Sequence, residues 1–107
     1  MNDSSQFTDQ QLDTIVEQAF IYMCACPAQI AVQLKNLRAL VRYQQNCLSK
    51  SGSNEIVHKA IITATNEAHA LFERCLDEVL DIEGWDRTTL QMPQGLRELR
   101  DKSVLEK

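Results

Sequence analysis

The stretch EIVHKAIITATNEAHALFERCLDEVLDIEGW, residues 55–85, decides how this chain folds. Val57, Ile61, Ala64, Ala68, Leu71 and Cys75 recur at alternating steps of four and three, and the rhythm continues to Val79 and Ile82. A second stripe, Ile62, Thr65, His69, Phe72 and Leu76, runs beside the first. Steps of three and four put side chains on one face of an α-helix, whereas a strand needs alternation by two. A helix apolar over so wide an arc must touch more than one neighbour. Gly84 supplies a residue able to take left-handed backbone at C′. Trp85 beyond it can pack on Leu80, so the helix is expected to stop there.

Upstream, SKSGSN at 49–54 ends one helix and begins the next. Gly52 suits a left-handed C′ position, and Ser53 or Asn54 can cap the helix that follows. The preceding helix carries Ile30, Leu34, Leu37, Val41, Gln44 and Leu48 on one stripe, widened by Leu40 and Cys47. Before it, Thr8 and Gln11 fit a capping box, with Phe7 and Leu12 in the two staple positions. Leu12, Val16, Ala19, Met23 and Cys26 then continue one helical face. Pro27 suits the first turn of a new helix and disrupts the interior of an old one. A break at Pro27 is therefore favoured over one long kinked helix, because the residue before proline is steered away from helical backbone. Residues 85–92 read as a turn and an extended segment, after which Pro93 opens a short helix bearing Leu96 and Leu99.

These elements predict an all-α chain: a small antiparallel helical bundle of three main helices, at about 9–23, 27–50 and 54–83, plus a short C-terminal helix from about 93. One domain covers 1–107, with residues 1–7 and about 103–107 expected to fray. The second and third helices, of about 22 and 29 residues, extend roughly 33 and 43 Å. Folded back across a short loop, they place Cys26 and Cys75 at one end with Cys24 and Trp85, and Cys47 near His58 at the other. Three broad apolar faces leave one subunit's core incomplete, so a two-fold homodimer is expected, against the alternative of a monomeric three-helix bundle closed by the tail.

Composition narrows the function classes. Apolar residues make up 44% of the chain and charged residues 24%, which is ordinary globular usage. Three glycines and two prolines are too few for an all-β chain built on many tight turns. Net charge is −4, so a phosphate backbone is a poor partner and nucleic-acid binding is not expected. The polar beginning MNDSSQFTDQ shows no secretory pattern, and the longest apolar run is far too short for a bilayer. The expectation is a soluble cytoplasmic protein away from the membrane, with its four cysteines as thiols.

Candidate chemistry is sparse. Cys24, Cys26 and Cys75 form the sharpest group, since thiolates bind zinc or copper and a cysteine near a helix N-terminus is stabilised as thiolate. Met23 adds a possible thioether. A Cys-x-Cys is not the Cys-x₂-Cys knuckle of structural zinc sites, however, and the stripe gives Cys75 a packing role of its own. Glu55-x-x-His58 is half of a di-iron motif whose other half is missing. His69 has Glu73 four residues on, a pairing that serves structure more often than acid–base catalysis. Lys35, Arg38 and Arg42 make a basic stripe that reads first as a solvated face and, as the alternative, as a contact for an acidic partner or anionic ligand. No phosphate loop, nucleophile elbow or His-Glu-x-x-His helix occurs. The sequence therefore points to a non-enzymatic interaction or regulatory module without a cofactor, the alternative being a metal- or redox-active thiol protein.

Overall fold

A computed structural model describes residues 6–22, 26–50 and 54–92, with side chains from 19 to 22 left out. These residues form three helices: α1 (Asp9–Tyr22), α2 (Cys26–Leu48) and α3 (Glu55–Glu83). The expected C-terminal helix from 93, the turn at Gly52 and the outermost ends lie outside the described residues.

The start of α1 is the predicted capping box. Thr8 N–H donates to Gln11 Oε1 at 2.8 Å, and Gln11 N–H returns a bond to Thr8 Oγ1 at 3.0 Å. Phe7 and Leu12 are both buried beside it in the same core. The expected fraying of 1–7 therefore does not extend to Gln6 and Phe7, whose amides are bonded to Glu73 at 2.8 and 3.1 Å.

Pro27 is buried in the first turn of α2, which begins at Cys26. Asp9 of α1 meets Arg38, and Asp13 meets Lys35 further back along α2, so α2 runs back alongside α1. The chain breaks near Pro27 rather than continuing as one kinked helix. At the far end of α2, Gln44 meets His58, while Arg38 meets His69, so α3 also runs opposite to α2. Helix α2 packs against both neighbours, whereas among the described residues the backbones of α1 and α3 do not approach each other.

Asn54 caps α3, its side chain accepting from Val57 N–H at 3.3 Å. Gly84 stops it, with left-handed φ 78 and ψ 31. Gly84 N–H bonds to Asp81 O at 3.1 Å and Trp85 N–H to Leu80 O at 2.9 Å, the paired bonds of a Schellman stop. Trp85 and Leu80 are buried in the same cluster, as expected. The chain then closes a tight loop. Asp86 Oδ1 accepts from the Thr88 and Thr89 amides at 2.8 and 3.0 Å, and Leu90, at φ 58, turns its side chain into the core. Met92 follows, its amide held by Gln18 Oε1 of α1 at 3.2 Å.

The core lies where α1, the first half of α2, the second half of α3 and the 85–92 loop converge. Leu12, Ile15, Leu34, Leu76, Leu80 and Met92 are essentially dry there. The structure also decides which face of α3 points inward. Of the two stripes on α3, the inner face is the second, with Thr65, His69 and Leu76 buried and Phe72 half-buried. The cleaner four-three stripe lies to the side: Val57, Leu71 and Ile82 are 48%, 59% and 75% exposed, while Ile61, Ala68, Cys75 and Val79 are half-buried. The second stripe wins the interior because α2 supplies polar partners for its polar members.

Candidate functional site

The inner stripe of α3 brings two ionisable groups, His69 and Glu73, under the middle of α2. They share one turn of helix, and Arg38 descends on them from α2. Arg38, His69 and Glu73 are 5%, 2% and 5% exposed, the only charged or titratable buried residues among those described. Arg38 occupies the i+4 position from Leu34 and the i−3 position from Val41, two of the driest residues on α2, and this carries it inward.

The guanidinium is used on all sides. Arg38 Nε–H donates to His69 Nε2 at 2.9 Å, Nη1–H to Asp9 Oδ1 at 2.7 Å, and Nη2–H to Phe7 O at 2.6 Å and Glu73 Oε2 at 3.4 Å. Glu73 Oε2 also accepts the Gln6 and Phe7 amides, so one carboxylate oxygen gathers three donors. Glu73 Oε1 faces His69 Nδ1 at 3.5 Å. Because an arginine nitrogen can only donate, His69 Nε2 must be the bare nitrogen and the ring proton sits on Nδ1, towards Glu73. The imidazole is neutral in this arrangement. Burial pushes the His69 pKa below its ordinary value, the Arg38 cation adds to the effect, and Glu73 pulls the other way. Asp9 at the rim is held below the usual carboxylate range, chiefly by its bond from Arg38.

This cluster is a clamp rather than a reaction centre. A general base needs a free lone pair facing substrate, and both His69 nitrogens are committed inside the fold. What the cluster does is tie residues 6–9 to α2 and α3 together. Separating Arg38 from Glu73 would strand a charge in the interior, which penalises any other docking of the N-terminal segment.

The sequence-derived candidates take different places. Arg38 leaves the basic stripe for the interior; Lys35 remains on the surface, bonded to Asp13, and Arg42 is exposed. Cys24 lies outside the described residues, Cys26 is exposed at the head of α2, and Cys75 is half-buried on α3. Among the described residues, no three of the His, Cys, Asp and Glu side chains converge as a metal would require. His58 Nδ1 is 2.6 Å from Gln44 Oε1, while Glu55 lies beside Lys59. The clamp had one signal in the sequence: an arginine at helical spacing between Leu34 and Val41, inside an apolar stripe. Its partners Asp9 and Glu73 lie 29 and 35 residues away, where local pattern carries no information.

None of the described helices is long and apolar enough to cross a membrane. No protein-family model matches this chain, and neither does any curated protein or solved structure with which it was compared.

Proposed function

We propose that this chain is a non-enzymatic helical interaction module that self-associates through its amphipathic helices, as an antiparallel bundle completed between subunits. The observation that carries this reading is the outward stripe of α3, where Val57, Leu71 and Ile82 stand exposed at heptad-like spacing. Scattered exposed apolar residues are ordinary, but these three share one helical face with the exposed Ala64 and the half-buried Ile61, Ala68 and Cys75, which suits a surface that a partner covers. Leu40 and Tyr43 add exposed apolar area on α2. The ionisable groups of the interior are consumed by the clamp, which suits a scaffold that holds its shape and presents a face.

Sedimentation velocity across the micromolar range tests the reading. A concentration-dependent dimer is expected, weakened by Leu71→Asp, a change at an exposed position that leaves the core intact. A single monomeric species at every concentration defeats it.

A further inference from the structure

The two flanks of the α2–α3 pair are unlike. On one flank Lys35 and Arg38 of α2 meet Asp13 and Asp9 of α1, while Glu73, Asp77 and Asp81 of α3 meet the residue 6–7 amides and Arg87. The other flank, turned about a third of a circle from the buried face of α3, carries Ile61, Ala64, Ala68, Leu71, Cys75 and Ile82. Ala64, Leu71 and Ile82 are exposed there, while Ile61, Ala68 and Cys75 are half-buried along its inner edge. These positions alternate as the a and d sites of a heptad: Ile61, Ala68, Cys75 and Ile82 at a; Val57, Ala64 and Leu71 at d, with Glu78 as the polar exception.

The pattern is self-complementary when reversed. An antiparallel copy centred between Ala68 and Leu71 sets Val57 against Ile82′, Ile61 against the exposed Glu78′, Ala64 against Cys75′ and Ala68 against Leu71′, so the apolar layers are interrupted once on each side of the axis, at Glu78. Ala64, Ala68 and Cys75 are the small members of the inner layers, where Leu71 is the one bulky side chain, and Val57 and Ile82 lie at the ends. Charge agrees with this register. Glu67 and Arg74, both exposed, occupy successive g sites. Antiparallel pairing sets g against g′, so Glu67 meets Arg74′ and, by the two-fold axis, Arg74 meets Glu67′. A parallel in-register pair has no such match, because Cys75 would face Cys75′ and Ala64 would face Ala64′.

We infer that a second copy of this chain docks on the open flank of α3, the two α3 helices antiparallel with the two-fold axis between Ala68 and Leu71. This rests on the self-association proposed above and specifies its surface.

Cysteine crosslinking tests the register in the full chain carrying Cys24→Ser, Cys26→Ser and Cys47→Ser. Within one helix, residues 64 and 75 are about 16 Å apart, as Cys75 and Cys75′ would be along the antiparallel pair. A disulfide needs Cα atoms within about 7 Å. Adding Ala64→Cys should therefore give a covalent dimer under mild oxidation, lost again with Cys75→Ser, while Cys75 alone should give none. Efficient crosslinking through Cys75 alone overturns the antiparallel register. A chain that sediments as a dimer but does not crosslink at 64–75 overturns this surface and leaves self-association standing. A monomer throughout overturns both.

Charge reversal in the unmodified background gives an independent reading. Glu67→Arg and Arg74→Glu should each weaken the dimer by roughly tenfold in Kd, and the double variant should return to within about threefold of the original. Singles without effect, or a double variant weaker than either single, overturn the pairing.

Discussion

The two halves of the long α2–α3 pair are built differently. Near Pro27 and Trp85, four segments meet over an aliphatic interior of Leu12, Ile15, Leu34, Leu76 and Leu80. Towards the other end, among the described residues, 41–48 and 54–65 have only each other. Val41 is buried there, and polar bonds are part of this arm: Gln44 to His58, and Thr65 Oγ1 donating to Ile61 O at 2.7 Å. Ile56, Val57 and Tyr43 stay exposed in that arm. Two helices can bury only one stripe each, so any further apolar surface remains outside until a third element arrives. The closed end has that element in α1 and the 85–92 loop. At the junction stands the Arg38 clamp, which marks where four-part packing gives way to two.

Breaking the junction should have the largest effect. Arg38→Ala leaves Glu73 buried without its cation and is expected to cost about 3–5 kcal/mol, read as a lowered urea midpoint. Loss under about 1 kcal/mol would show that the junction contributes little. Within the closed end, Leu76→Ala should cost about 2–5 kcal/mol through the cavity it leaves, whereas Ile56→Ala in the arm should stay within about 0.5 kcal/mol. Equal costs at the two sites would erase the contrast.

Gly84→Ala tests the edge of the closed end. A Cβ there would meet nothing within 4 Å, so the expected cost, about 1 kcal/mol, comes from the left-handed backbone alone.

The pH dependence follows from His69. Its folded pKa lies below the unfolded value, so the folded state binds the proton less readily than the unfolded state. The stability it contributes is complete above the ordinary histidine pKa of about 6.5 and declines as pH falls through the lowered one. Denaturant midpoints should therefore drop from pH 7 towards pH 5, and His69→Gln should flatten that slope. An unchanged slope in the variant would assign it to other groups. The finest probe is amide exchange. Backbone amides near 44–48 and 57–62 should exchange faster than those near 72–80, since fewer buried contacts oppose local opening of the arm.

Much of the local architecture was legible because its causes are local. Thr8 and Gln11, Asn54, and Gly84 with Trp85 each carry their bonding partners within a few residues, so start and stop signals could be read directly. The break at Pro27 belongs to the same class. The burial of Gln6 and Phe7 was not legible, because it depends on a carboxylate 66 or 67 residues away. Nor could pattern alone say that Arg38 turns inward, since its neighbours Lys35 and Arg42 gave it the look of a solvated row.

By itself the sequence determined helices, their ends and the fact that α3 has two apolar stripes, because periodicity and capping act over three or four residues. Only the tertiary structure decided which stripe faces in. That choice turned on where Arg38 and Gln44 could satisfy His69, Glu73 and His58: a buried polar group must find its partner in space, however far away it lies along the chain.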